Sequence, residues 1–257
     1  MKKIFFYAFL LLATSNALFA QKNKEKDDDN SNWNQSGWGN GQRITGQGPK
    51  VKEDRNVTGF TGVESGIAAD VILKQGSSFK VTVEGQKNIL DALKTELKGT
   101  VLKINFEKGV NIRYKENLKI YVEAPNFESL GMSGSGDVRA EGTLKGSKLR
   151  LGISGSGNFS LNLDYTELDL GISGSGDVML EGKSDKVTMG VSGSGDIKAG
   201  NLKAQSVKCN VSGSGNINCN AQKSLEAYVS GSGDIKYSGN PSSVKTKVTG
   251  SGDIDAQ

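Results

Sequence analysis

The sequence contains no histidine. The commonest general base and the commonest nitrogen ligand for metals are therefore missing. Ser-His-Asp and Cys-His catalysis are excluded, as are zinc sites built on imidazole. Proline is scarce, with three residues, and aromatics make up 7%. Long apolar runs are absent as well. The longest, Ile4 to Ala13, has ten residues, about half of what a membrane-spanning helix needs. Charge of one sign is also lacking where it would matter. The formal net charge is +4 over the whole chain, but from Ser133 to Gln257 acidic and basic residues balance at 13 each. This gives no support for nucleic-acid binding.

What the chain has in excess is glycine, 35 of 257 residues. These glycines do not recur every third residue, so a collagen helix is excluded. The N-terminus reads as an export signal over residues 1–20. Lys2 and Lys3 form a positive start, the short apolar run follows, and cleavage is expected after Ala20 or Ala17. No cysteine stands there to carry a lipid. Residues 21–52 are polar and low in complexity, and are expected to form a flexible linker that contains Trp33 and Trp38. Residues 53–128 show strand alternation, as in Phe79-Lys80-Val81-Thr82-Val83 and Val101 to Phe106. Helical spacing appears only over Ile89 to Leu97, and Pro125 ends the last strand.

From residue 129 the chain repeats. The unit Ser-Gly-Ser-Gly-Asp/Asn plus an apolar residue begins at Ser133, Ser154, Ser173, Ser192, Ser212 and Ser230, and a Thr version at Thr249. The spacings are 21, 19, 19, 20, 18 and 19 residues. Let the first Ser or Thr be position zero. Position −1 is then Met132, Ile153, Ile172, Val191, Val211, Val229 and Val248. Position +5 is Val138, Phe159, Val178, Ile197, Ile217, Ile235 and Ile254. Positions −5, −3 and +7 are also mostly apolar. All are odd, so period-two alternation puts them on one face, with Ser, Ser and Asp/Asn at 0, +2 and +4 on the other. The glycines at +1 and +3 mark points where a Cβ would obstruct a close approach. A unit of this length cannot bury its own apolar face, whereas stacked units can. The fold is therefore read as all-β, a right-handed parallel β-helix, a single-stranded solenoid with coils of about 19 residues. Gly66 to Leu73 resembles a degenerate copy, with Asp70 at +4, Val71 at +5 and Leu73 at +7, so the N-terminal half either continues the same coils or forms a separate small β unit.

The order of motifs resembles the family of "putative auto-transporter adhesins" called the head GIN domain. The matching pieces are Arg55 to Phe60, Ala69 to Gly76, Val81 to Gly85, and the Ser-Gly-Ser-Gly-Asp copies. The likeness runs from about Asn56 to Gln257. It implies a right-handed β-helix exported by a Bacteroidetes-type bacterium. It carries over no functional residues, and the C-terminal outer-membrane barrel of a true autotransporter is missing from this sequence.

Several constellations bear on function. The column Asp137, Asn158, Asp177, Asp196, Asn216, Asp234 and Asp253 stacks carboxylates about 4.8 Å apart. Such repulsion invites a cation, and Asp177, Asp196 and Asp234 are the residues that would hold Ca²⁺. The simpler reading is that Asp follows Gly as a turn residue. Ser-Gly-Ser-Gly lacks the Gly-Lys-Ser/Thr of a phosphate cradle, and its serines lack a base. No catalytic residue and no other cofactor is expected. Asp164, Glu167 and Asp169 cluster, but read as outward positions flanking Leu168 and Leu170. Cys209 and Cys219 fall on inward positions of one repeat, and are either a disulfide or two buried thiols. The last rung, with Lys245 and Lys247 outward, is expected to dock a second copy or a partner. The reading that follows is a non-enzymatic structural or adhesive binding module, exported to the periplasm or cell surface and contacting glycans or proteins through repeated polar faces. The alternatives are a carbohydrate-active β-helix lyase or hydrolase, and a periplasmic scaffold or sensor accessory.

Overall fold

The computed structural model describes residues 42–257. The expected signal peptide at 1–20 and residues 21–41 of the expected linker, with Trp33 and Trp38, lie outside the described residues. Strand accounts for 65% and helix for 2%. The long strands Asp137–Ile153, Asn158–Ile172, Val178–Val191, Ile197–Val211 and Ile217–Val229 each pair in parallel with the next. Ile235–Ser238, Ser243–Val248 and Ile254–Ala256 continue the stack. The result is a parallel β-solenoid of about 7 turns, with coils of about 19 residues.

The repeat predicts the register residue by residue. Ile153, Ile172, Val191, Val211, Val229 and Val248 follow one another up one column. Ile172, Val191 and Val211 are at most 2% exposed. Val138, Phe159, Val178, Ile197, Ile217 and Ile235 form a second buried column. Each such aliphatic contributes roughly 1.5–3 kcal/mol on full burial, and the alternation delivers several per coil.

The Ser-Gly-Ser-Gly corners stack most tightly. The Ser175 amide donates to the Gly155 carbonyl at 3.0 Å, and Ser194 to Gly174 at 3.1 Å. A Cβ on Gly174 would sit on the Gly155 carbonyl oxygen, and one on Gly176 on that of Gly157. None of these corner glycines has a positive φ. Glycine is required there by the close approach of successive coils, not by its conformational freedom. Differences in coil length are absorbed elsewhere. The registers shift between Arg139 and Thr143, between Met179 and Glu181, and after Ala199, so the serine corner is never displaced.

The N-terminal part joins the same column but not in chain order. Val71 lies opposite Val138 and Leu73 opposite Ala140, as the degenerate copy predicts. The coil made by Gly62–Ser65 and Asp70–Gln75 is flanked on its far side by Val101–Phe106 and Lys119–Ala124. The chain thus lays one coil, adds the next outside it, then crosses back over the first. Residues 125–128 make that crossing. Phe127 is wholly buried, Tyr165 donates its hydroxyl to the Phe127 carbonyl at 2.8 Å, and the Gln75 amide donates to the Pro125 carbonyl at 2.9 Å.

Antiparallel strands close this end. Lys80–Gln86 pairs with Lys119–Ala124, and Leu93–Lys98 pairs with Val101–Phe106. Here the expected bounds of the linker need correction, and the expected one or two turns of helix are met only in part. The linker does not extend to residue 52, because Gln42–Thr45 and Lys50–Arg55 are strands. Lys50–Arg55 finds an antiparallel partner in Lys80–Gln86, and its charges suit an outermost strand. The helical pattern over Ile89 to Leu97 gives only the short helix Lys87–Asp91, after which Leu93–Lys98 is a strand. Pairing with Val101–Phe106 across the Gly99 turn overrides the local spacing.

Candidate functional site

The outward groups of the solenoid form columns, and the Asp/Asn column is the most ordered. Asn158 Oδ1 accepts the Asp177 amide at 2.9 Å, Asp177 Oδ1 accepts that of Asp196 at 2.9 Å, and Asp196 Oδ1 accepts that of Asn216 at 2.8 Å. Asn216 and Asp234 continue the pattern to Asp234 and Asp253, each at 2.9 Å. Asp and Asn alone combine an Oδ1 with a side chain short enough to reach straight up to the next coil. The bond from the Asp196 amide, together with Lys198 at 3.2 Å, holds the Asp177 carboxyl below its ordinary range despite some burial. Repulsion along the column is relieved by backbone donors and by the interleaved asparagines.

The three residues expected to hold Ca²⁺ are not equivalent neighbours. Asp177 and Asp196 occupy adjacent coils, whereas Asn216 separates Asp196 from Asp234. One oxygen of each already accepts an amide. Among the described residues, no group of three or more Asp, Glu, His or Cys is arranged to hold a metal ion. A shallow hollow of about 280 Å³ does run beside this column, lined by Asp196, Asn216 and Asp234 together with Lys198, Asn218 and Lys236.

Asp164, Glu167 and Asp169 face outward as part of an ion-pair ladder. Lys148 contacts Glu167 at 3.1 Å and Asp169 at 3.3 Å, Lys186 contacts Glu167 at 3.8 Å, and Lys183 contacts Asp164 at 3.4 Å. Lys148 holds the Glu167 carboxyl below its ordinary range. A glycosidase acid needs the opposite shift.

Cys209 and Cys219 face each other across the interior of one coil, with Sγ atoms 3.8 Å apart, both as free thiols. The neighbouring sulfur and burial together push the Cys209 thiol well up.

One site has no counterpart in the sequence reading. Asp70, Asp137, Tyr114 and Asn117 line a hollow at the N-terminal end of the serine corner. Tyr114 and Asn117 sit in an irregular loop without a motif, so spacing alone does not reveal them. Burial pushes the Tyr114 hydroxyl up to about 12.

Comparisons with known proteins agree with this architecture. The sequence profile of a family described as "Putative auto-transporter adhesin, head GIN domain" matches residues 59–241. A solved structure from Bacteroides fragilis, described as a putative adhesin, is 29% identical with a TM-score of 0.81, covering 83% of this chain and 100% of the other. One from Parabacteroides distasonis, described as a putative lipid binding protein, is 25% identical with a TM-score of 0.71 over 84% of this chain and 100% of its own. A putative adhesin from Parabacteroides merdae, 21% identical with a TM-score of 0.69 over 84% and 99%, shows likeness of fold alone. No curated protein sequence matches.

Proposed function

Because the chain belongs to the head GIN domain family of "putative auto-transporter adhesins", we propose that it is an exported, non-catalytic adhesive module working in the periplasm or at the cell surface. The observation that supports this reading is the set of registered polar columns. Asp196, Asn216 and Asp234 stand beside Lys198, Asn218 and Lys236 on adjacent rungs. A rigid wall with donors and acceptors repeating at about 4.8 Å suits many weak contacts to a glycan or to a protein surface.

The carbohydrate-active enzyme draws no support from Asp164, Glu167 and Asp169, whose carboxylates are paired with lysines. A lipid-binding role, suggested by the Parabacteroides distasonis neighbour, finds little support in an interior filled by Leu149, Leu168, Val187 and their neighbours. No helix among the described residues is long and apolar enough to cross a membrane.

The test is a glycan array and a surface-protein array, each run with and without calcium. Binding to a glycan or protein, weakened by Lys198→Ala with Lys236→Ala, is expected. A blank result on both arrays would remove the adhesive reading. Docking of a second copy against Ser243–Val248, where Val244 is 44% and Val248 43% exposed, belongs to the same proposal. Light scattering that stays monomeric at high concentration counts against it.

A further inference from the structure

The stack of serine corners is interrupted at one place. Where later coils present Gly-Ser-Gly, the coil of Asp70–Gln75 presents Ile67, Ala68 and Ala69, and Gly134 and Gly136 stack on Ile67 and Ala69 instead of on glycines. On the far side, the loop between Val110–Arg113 and Lys119–Ala124 carries Tyr114 and Asn117. Between loop and corner lies a hollow of about 240 Å³, lined among others by Asp70, Tyr114, Asn117, Ser135 and Asp137.

The Asp/Asn ladder also breaks here. From Asn158 to Asp234 each side chain accepts the next coil's amide. Asp70 does not accept that of Asp137, and its carboxylate has no hydrogen-bond partner among the described residues. Asp137 takes only the side-chain amide of Asn158, at 2.8 Å. Asp70, outside the structural ladder, and Asp137, bonded through one oxygen to Asn158, thus both line this hollow, where the repeat is irregular.

We infer that this hollow binds a single neutral pyranose ring, the terminal unit of a glycan. Carboxylates, an amide and a hydroxyl match the paired hydroxyls of a sugar. An aromatic side chain suits its C–H face. The volume lies below the ~300 Å³ at which drug-sized pockets begin, so it fits one ring rather than a chain. No lysine or arginine lines it, so an acidic sugar would meet two carboxylates without a counter-charge. The inference rests on the adhesive reading and gives it a ligand class and a location.

The experiment is saturation-transfer NMR on the full chain with methyl pyranosides of glucose, galactose, mannose and N-acetylglucosamine. Glucuronate, calcium chloride and methylammonium serve as rival occupants. At least one neutral pyranoside should give transfer, weakened roughly tenfold by Asp70→Ala and by Asn117→Ala. Neither side chain makes a hydrogen bond among the described residues, so both variants should remain folded by circular dichroism. Tyr114→Phe, which keeps the ring, should retain most of the signal. Silence from all four neutral sugars, equal transfer in the variants, preference for glucuronate, or shifts with the cations alone would each overturn the inference. Running wild type and Asp70→Ala in the array experiment separates the two ideas. Array binding without any pyranoside signal sinks the hollow and spares the adhesive reading. Pyranoside binding with blank arrays does the reverse.

Discussion

The backbone amide of Asp196 donates to Oδ1 of Asp177, 19 residues earlier in sequence, at 2.9 Å. Asp196 then accepts both the amide of Asn216 at 2.8 Å and its Nδ2 at 3.0 Å. From Asp177 to Asp234 each rung of this column is therefore an acceptor for the coil above and a donor to the coil below. Asp196→Asn keeps Oδ1 and should change stability little, within about 0.5 kcal/mol. Asp196→Ala leaves the Asn216 amide without its acceptor and should cost about 1–2 kcal/mol. Urea unfolding of the two variants measures the difference, and equal midpoints would contradict a structural role for the carboxyl oxygen.

Calcium provides a separate check on the same column. If the protein's own donors satisfy Asp177, Asp196 and Asp234, the melting temperature should be the same in excess calcium and in chelator. A rise with calcium that is lost in Asp177→Asn would instead place a cation there.

Acid should weaken the fold in a defined window. The Asp177 carboxyl is held below 3.8 by the Asp196 amide and Lys198, and that of Glu167 below 4.5 by Lys148. Burial raises Glu84, but bonds from Lys52 and Tyr121 outweigh it and hold its carboxyl below 4.5. Carboxyls depressed in the folded state stabilise it fully above their unfolded values, and lose that contribution as pH falls toward the folded ones. The urea midpoint should stay level from neutral pH to about 5, then drop as pH passes below 4.5 and 3.8. A midpoint that climbs on acidification would show that other groups dominate.

The regular part of this architecture was legible because its period lies in the sequence itself. Once Ile153, Ile172 and Val191 occupy one odd position, the register between coils follows. The role of the Asp/Asn column was harder to read. A bond from Asp177 to its own turn looks the same in sequence as a bond to an amide in the next coil. The N-terminal order was not readable either. Alternation identifies Val101–Phe106 and Lys119–Ala124 as strands, but says nothing about which side of Gly62–Ser65 they occupy. Lys50–Arg55 was hidden because an edge strand needs few apolar residues once a partner supplies its backbone bonds. Tyr114 and Asn117 gain meaning only when the loop folds over the serine corner.

Glycines of one coil should respond oppositely to the same substitution. A Cβ on Gly174 would collide with the Gly155 carbonyl, whereas one on Gly171 meets nothing within 4 Å. Gly174→Ala should therefore destabilise by about 1–3 kcal/mol, the range for overpacking. Gly171→Ala removes backbone freedom from the unfolded chain and should be neutral or stabilise by up to about 1 kcal/mol. Thermal unfolding of the pair would refute the steric account if both variants shift alike.

The cysteine pair makes a prediction about timing. The two sulfurs lie 3.8 Å apart inside the same coil, against about 2.05 Å in a disulfide, so a bond requires only a modest side-chain rotation. Both side chains are at most 1% exposed, and the neighbouring sulfur and burial push the Cys209 thiol well above the usual range. The thiolate is the species that attacks a disulfide, so the folded, reduced protein should resist oxidised glutathione. An unfolded chain has ordinary, accessible thiols. Refolding in oxidised glutathione should therefore give the bond, with a mass lower by about 2 Da for the two hydrogens lost to the oxidant, because the fold then holds the sulfurs together. A bridge spanning ten residues should add about 2–3 kcal/mol, and Cys209→Ala should abolish that gain. Intact-mass measurement decides the outcome. Rapid oxidation of the native protein would mean that the interior opens far more readily than its packing implies. Failure to form the bond even on refolding would mean that the corner geometry keeps the two sulfurs as neighbouring thiols.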